Sequence, residues 1–501
     1  MELANFTPRI YQQNILKTCL DKNTLVVLPT GIGKTAIAML LASERMKKFP
    51  ESKILITAPT KPLCNQHVHT FKQHTTNIEI ALFTGSLVPS KRHDLFDQSK
   101  IIIATPQTIE SDLQNNRISL ENFSLICLDE AHRSRANYAN TFIVKKYLEQ
   151  SKFPRILALT ASPGSSKERI EEICNNLAIE AVEIRTEHDE DVSPYIQKKD
   201  ISWISIELTQ EITQLASIIR KVYEQNLEKL QNLGFSKPVK YINKKDLLML
   251  QKRFQSEITS GSKIAFYGIS LVAQIIKVEH ALALIETQTI SALENYWKKL
   301  EVETTKAAKT ILANPDIKRA LQLTQKLIEN KVKHPKIIKL IEIIKKDISE
   351  NKEAKIIVFA TYRDTVAEIA RELNLAGIKA KRFVGQADRQ DKGQNQVEQQ
   401  SIIDAFKNHE FNILVASSVG EEGLDLPEVA AVVFYEPIPS ELRKIQRQGR
   451  TARTKPGKVI FLMAKKTRDE AYYWSSLRKE KLMKNILLNI KSKKEKQVKL
   501  Q

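Results

Sequence analysis

The chain has 501 residues, 42% of them hydrophobic, enough to bury the cores of two to four globular domains. Its 78 Lys and Arg against 58 Asp and Glu leave a formal charge of +20, which points to a polyanionic partner, nucleic acid above all. Cys19, Cys64, Cys127 and Cys174 lack metal-ligand spacing, and no uninterrupted apolar run approaches about 18 residues. Zinc sites, disulfide scaffolds and membrane spans are therefore not expected, and a soluble protein of a reducing, cytoplasmic compartment is.

Arg9 and Gln12 lie just before the first apolar run. A guanidinium can stack on an adenine face, and a Gln amide matches the adenine edge, so the pair is a candidate base reader. Thr24–Leu28 reads as a strand, and Thr30-Gly31-Ile32-Gly33-Lys34-Thr35 follows it. The glycines Gly31 and Gly33 let the backbone wrap phosphates at a helix N-terminus. Lys34 is placed to reach the β- and γ-phosphates, and Thr35 to hold Mg²⁺. Leu28 stands where the general eight-residue loop pattern begins with Gly.

About a hundred residues on, Ser124–Leu128 reads as a buried strand ending in Asp129-Glu130-Ala131-His132. Ligands of open α/β sheets bind at that edge. Asp129 is the expected Mg²⁺ ligand, Glu130 the group that orients and deprotonates the attacking water, and His132 completes the catalytic set. Further strands are expected at Ile54–Ala58, Glu79–Phe83, Ile101–Ala104 and Ile156–Leu159. Thr160-Ala161-Ser162 at the last of these is placed to couple the ATP site to a track.

The strand-and-helix alternation returns at Lys355–Ala360, Ala380–Val384, Asn412–Ala416, Ala431–Tyr435 and Lys458–Leu462. The expected class is therefore α/β, with two parallel-sheet lobes. Between them, 209–334 reads as an α-helical insert domain, with 20 basic and 12 acidic side chains, a net +8. In the second lobe, Gly423 and Asp425 are candidate nucleotide contacts, Asp425 toward a ribose hydroxyl. Gln446, Arg450 and Arg453 form a basic motif whose guanidinium groups suit the charge that builds on a transferring phosphoryl group. Strand-end segments suited to a nucleic-acid backbone are Pro59, Thr60 and Lys61; Thr84 and Gly85; Thr105 and Pro106; Arg382, Phe383 and Gly385; and Ser417 and Ser418.

In this order the motifs resemble a superfamily 2 DExH helicase. The segments Cys127–Arg133, Ala158–Gly164, Asp189–Tyr195, Arg382–Ala387, Ser418–Asp425 and Val433–Pro437 narrow the resemblance to the archaeal Hef family and its eukaryotic relatives FANCM and Mph1. The resemblance implies two RecA-like lobes that bind ATP and Mg²⁺ in their cleft and nucleic acid across their tops. It also implies an insert within the second lobe, related to that of RIG-I-like and Dicer helicases, so that Ile201–Leu208 joins the second lobe ahead of the insert. The expected division is 1–198 for lobe 1, 199–208 plus 335–478 for lobe 2, 209–334 for the insert and 479–501 for a basic tail.

The function implied is an ATP-dependent DNA helicase acting 3′ to 5′ on forked or branched DNA in replication and repair, associated with the nucleoid. A separate nuclease or sliding-clamp protein is a candidate partner. Two other readings stay open: a duplex-RNA-stimulated ATPase of the RIG-I or Dicer kind, and a non-enzymatic scaffold for branched DNA. Ala452 stands where the family usually has Gly, and no XPF-like nuclease cluster follows, so DNA cleavage is not expected.

Overall fold

The structure is a computed structural model that describes residues 1–501 apart from 236, 239–241, 260, 386–392, 421–425, 453–454 and 500–501. Lobe 1 runs through β1 (Glu2–Leu3), α1 (Ile10–Asp21), β2 (Thr24–Val27), α2 (Lys34–Lys48), β3 (Lys53–Thr57), α3 (Lys61–His74), β4 (Thr75–Thr76), β5 (Ile80–Phe83), α4 (Pro89–Gln98) and β6 (Ile101–Ala104). It continues through α5 (Pro106–Gln114), β7 (Phe123–Leu128), α6 (Ala139–Gln150), β8 (Ile156–Thr160), α7 (Lys167–Asn176) and β9 (Ala181–Ile184). Seven of these strands form a parallel sheet ordered β5-β6-β3-β7-β8-β2-β9. Its central strands are buried along their whole length, because helices cover both faces. The edge strand β9 has no counterpart among the strands expected from the sequence.

β10 (Lys199–Ile206) leaves lobe 1 and pairs in parallel with β15 (Gly457–Ala464), more than 250 residues on. The strand ahead of the insert thus belongs to lobe 2. Among the described residues the insert's elements are all helices: α8 (Gln210–Asn232), α9 (Lys244–Thr259), α10 (Lys263–Thr287), α11 (Ile290–Glu301), α12 (Lys306–Ala313) and α13 (Pro315–Glu329). Over Ile264–Thr287, α10 is apolar enough to look like a membrane span, yet 61% of its most apolar window is buried inside the protein. Its residues from Leu271 to Ile285 supply cores shared with α8, α9 and α11.

Lobe 2 resumes with α14 (Pro335–Glu350), β11 (Ile356–Phe359), α15 (Arg363–Leu375), β12 (Ala380–Phe383), α16 (Gln396–Lys407), β13 (Ile413–Ala416), β14 (Ala431–Phe434) and α17 (Glu441–Gln448), then β15. Its six-stranded parallel sheet is ordered β10-β15-β14-β11-β13-β12.

The last element corrects an expectation. Residues 479–499 are not a separate tail: α18 runs unbroken over Arg468–Lys499. Met483, Leu487 and Ile490, at helical spacing, are buried in the core on one face of the lobe 1 sheet. The helix starts on lobe 2 and ends packed on lobe 1, tying the two together.

Candidate active site and nucleic-acid interface

The phosphate loop lies between β2 and α2. Gly31 and Gly33 have φ of +83° and +85°, a left-handed backbone that side chains disfavour. A Cβ on Gly33 would also come within 3.0 Å of Gln12 Nε2. Lys34 opens α2, and its Nζ lies 3.5 Å from the Pro29 carbonyl, curled over the loop. Thr30, Lys34 and Thr35 are half-buried, and Gly31 and Gly33 are exposed.

Gln12 is buried rather than open at the cleft. Its amide accepts from the Arg9 N–H at 2.9 Å and donates to the Gly33 carbonyl at 3.4 Å. Tyr11 donates its hydroxyl to the Ile32 carbonyl, and the Arg9 guanidinium lies 4.9 Å from the Tyr195 ring centre. The start of α1 therefore braces the loop through Tyr11 and Gln12, whatever it reads of a base.

Asp129 emerges from the end of β7, with β8 between it and β2. Its Oδ1 accepts the Glu130 N–H at 3.0 Å, and its Oδ2 lies 2.9 Å from His67 Nε2 on α3. Burial raises the Asp129 pKa, but His67 and Lys34 outweigh it and hold the carboxyl below its usual range. His67 was not singled out in the sequence; the only signal is its position with Cys64 and Phe71 on the buried face of α3.

Glu130 has φ +50°, costly for a residue with a side chain and of the kind that gathers at active sites. His132 Nδ1 lies 3.2 Å from Glu130 Oε2 and 3.2 Å from Thr160 Oγ1. Thr160 Oγ1 in turn accepts the Ser162 N–H at 3.1 Å, and Ser162 donates its hydroxyl to Met483 Sδ of α18 at 3.0 Å. His132 thus links the acidic motif to the β8 segment and onward to the helix that joins the lobes.

Among the described residues no cluster of three or more His, Cys, Asp or Glu side chains forms a metal cage. That suits Mg²⁺ beside a nucleotide, which keeps waters and takes phosphate oxygens with one or two protein ligands. An ionised carboxylate at Asp129 and a hydroxyl at Thr35, beside glycines that clear room for phosphates, fit such an ion.

The second lobe meets this site through α17. Ile445 packs against the lobe 1 core, and Gly449 lies against Thr30 so closely that a Cβ there would overlap the Thr30 side chain. Gln446 and Arg450 are buried at this junction. Thr451 donates its hydroxyl to the Val429 carbonyl at 2.6 Å, fixing the turn after α17. Ala452 has φ +56°, a left-handed backbone that glycine adopts freely, so the Ala side chain bears a steric cost there. Arg453, Gly423 and Asp425 lie outside the described residues, as do Gln386 and Ala387.

The nucleic-acid candidates occupy the other half of each sheet. In lobe 1 they follow β3, β5 and β6, three neighbouring strands; in lobe 2 they follow β12 and β13, again neighbours. Thr60 and Thr105 are N-caps of α3 and α5, with Pro106 buried behind Thr105 and Pro59 half-buried. Lys61 Nζ donates to Ser86 Oγ at 3.2 Å, and Thr84 shares a 2.9 Å hydrogen bond with the same hydroxyl beside the open Gly85. Arg382 and Ser418 are exposed, and Gly385 is half-buried. Phe383 is fully buried with its ring in the lobe 2 core, which leaves its main chain at the strand end for a phosphate backbone. Strand alternation turns Arg382 outward and Phe383 inward. Ser417 is likewise buried.

Comparison with known proteins agrees with this arrangement. A DEAD/DEAH box helicase model matches 9–170, a helicase conserved C-terminal domain model 335–455, and a helical-bundle model named for an RNA helicase 210–334. The Pyrococcus furiosus Hef helicase domain superposes with a TM-score of 0.73 at 45% identity, over 94% of this chain and 98% of that one. A Methanocaldococcus jannaschii protein, named provisionally as an ATP-dependent RNA helicase, is 42% identical over 96% of this chain and 61% of its own length. The ATP-dependent DNA helicase mph1 of Sclerotinia sclerotiorum is 33% identical over 95% of this chain and 41% of its own. The chain thus spans 61% or less of the length of these two relatives.

Proposed function

Because the chain belongs to the Hef/FANCM/Mph1 helicases of superfamily 2, we propose that it is an ATP-dependent helicase and translocase acting on forked or branched DNA. The observation that carries the motor reading is the docking of α17 against the phosphate loop at Gly449 and Thr30. It brings the arginine motif of one lobe to the phosphate site of the other, so turnover is sensitive to how the lobes sit.

In this reading the loop N–H groups and Lys34 hold the phosphates, while Thr35 and Asp129 would hold Mg²⁺, whose positive charge would be supplied beside the phosphates. Glu130 orients the attacking water and takes its proton. Arg450, with Arg453, stabilises charge as it shifts toward the leaving oxygen. Lobe movement is passed along His132, Thr160 and Ser162, and the strand-end hydroxyls and Lys61 and Arg382 hold the phosphate backbone without reading bases. The insert, at +8, suits duplex arms beyond the cleft.

DNA is the track in this reading because the mph1 relative is named an ATP-dependent DNA helicase. A second reading, RNA, draws on the names of the Methanocaldococcus relative and of the helical-bundle model. The test is ATP turnover and strand separation on single-stranded, duplex, forked and four-way DNA, each beside RNA of the same shape. The proposal expects the greatest stimulation by forked or four-way DNA. Equal or greater stimulation by duplex RNA replaces it with the RNA reading, and no hydrolysis on any substrate leaves only a scaffold.

A further inference from the structure

β10 is an edge of the lobe 2 sheet, and among the described residues no strand lies beyond it. Gly457 donates its N–H to the Lys198 carbonyl at 3.1 Å, and Lys465 donates its own to the Ile206 carbonyl at 2.9 Å. Backbone direction alternates along a strand, so the even-numbered residues between these two face β15. Lys199, Ile201, Trp203 and Ser205 turn their N–H and C=O groups outward. Edge strands are usually short, or carry charge, proline or a bulge against stray pairing. β10 is 8 residues long and pairs with β15 in unbroken register. From Ile201 to Ile206 it holds neither charge nor proline.

The same strand walls a cavity. Ile201 and Trp203, 44% and 57% exposed, line with Phe461 and Tyr473 a space of about 700 Å³ between the lobes. The ring centres of Trp203 and Tyr473 are 6.1 Å apart. The lining also holds Lys198, Lys199, Lys444 and Lys484, against the two acids Glu187 and Glu480. Lys199 is paired with Glu187, and Glu480 takes both Lys444 at 3.0 Å and Lys484 at 3.8 Å. The remaining arginine of the lining, Arg185, is matched by Glu183 and Asp191. Positive charge is thus in surplus around an apolar centre.

β9 and β10 stand at the ends of their sheets away from β3, β5 and β6 in one lobe and from β12 and β13 in the other. Those are the strands that carry the nucleic-acid candidates, so the cavity lies off the expected track. A nucleic acid also has no row of N–H and C=O groups with which to complete a sheet edge, whereas a peptide has. We propose that β10 and this cavity form a docking site for an extended acidic peptide of a partner protein, which adds a strand to the lobe 2 sheet and sets apolar side chains against Trp203. Main-chain bonds to the four outward residues supply affinity, and alternation of acidic and apolar side chains along the peptide supplies specificity.

The test is fluorescence anisotropy of the full chain with a labelled peptide pool of about ten residues, enough to span β10. Asp or Glu occupies one alternate set of positions, and Val, Leu, Phe or Trp the other. A control pool has the same composition with the apolar residues grouped. Two further pools are N-methylated, one at the acidic positions and one at the apolar positions. The alternating pool is expected to bind roughly tenfold or more tightly than the grouped pool. One N-methylated pool should lose binding and the other keep it, because only one set of N–H groups faces β10. Trp203→Ala should weaken binding roughly tenfold or more. Ile201→Pro, which removes an outward N–H and leaves the β15 ladder alone, should do likewise. Excess forked DNA should leave peptide binding within about twofold.

No binding of the alternating pool, or equal binding of both N-methylated pools, overturns the proposal. The N-methylated pools decide it even where a protein variant folds poorly. Displacement of the peptide by forked DNA makes the surface a nucleic-acid contact instead. A chain that binds no peptide but dimerises, and becomes monomeric with Trp203→Ala, assigns the edge to a second copy.

Discussion

Gly449 of lobe 2 sits against Thr30 of lobe 1, with no room for a side chain between them. The backbone at Gly449 is ordinary, with φ −71°, so its need for glycine is one of space rather than conformation. Gly449→Ala is expected to push α17 off the loop and lower stimulated ATP turnover about tenfold or more, from an overlap worth roughly 1–3 kcal/mol. Steady-state kinetics check this beside the binding of a non-hydrolysable nucleotide, which should change less than turnover.

Lys34 and Glu130 should fail differently. Lys34→Ala removes charge from the phosphate loop and is expected to abolish both nucleotide binding and turnover. Glu130→Gln keeps shape and should bind ATP while hydrolysing it on the order of 10³-fold more slowly. Filter binding with radiolabelled ATP beside phosphate release separates the two, and brisk hydrolysis by either variant would overturn the assignment.

His334 gives the fold a dependence on acid. It caps α14, accepting the Lys336 N–H at 3.2 Å, and burial together with the nearby Lys336 charge pushes its pKa down to about 3. The unfolded chain takes up the proton near the ordinary imidazole value of 6.5, and the folded chain does not. This group's contribution is therefore complete above pH 6.5 and is lost progressively as the pH falls toward 3. At pH 5 that amounts to about 2 kcal/mol. His334→Asn, which still caps a helix, should narrow the difference in urea midpoint between pH 7 and pH 5.

The strap helix should matter to lobe 1 although it belongs to lobe 2 by chain order. Leu487 is fully buried in the lobe 1 core. Leu487→Ala is expected to cost roughly 2–4 kcal/mol, read as a lower denaturation midpoint. It should also weaken the coupling of ATP turnover to nucleic acid, since Ser162 loses a well-held Met483.

If the insert holds duplex arms, reversing exposed lysines such as Lys252, Lys306 and Lys309 to Glu should weaken forked-DNA binding more than single-strand binding. The salt dependence of fork binding should flatten as well, because fewer counterions are released. Equal losses on both substrates, in protein that still hydrolyses ATP, would remove the insert from substrate choice.

The candidate nucleotide site is legible in the sequence because its chemistry is local. A strand, a glycine turn and a helix start lie within a dozen residues, and their order alone aims N–H groups, Lys34 and Thr35 at one point. Asp129 and Glu130 are likewise fixed by ending a buried strand. The two-lobe alternation and the helical insert followed from periodicity, which reports burial directly.

What the tertiary structure decided are relations between residues far apart in the chain. The apolar spacing of Met483, Leu487 and Ile490 is visible in the sequence, but not that its partner is a sheet some 300 residues upstream. Phe383 and Arg382 are neighbours in one motif, and only the pleat and packing of β12 bury one and expose the other. His67 beside Asp129 and Gly449 against Thr30 depend on close packing of residues from separate elements. Sequence pattern encodes which face of an element is buried; which element covers that face is settled only when all of them compete for the same apolar surface.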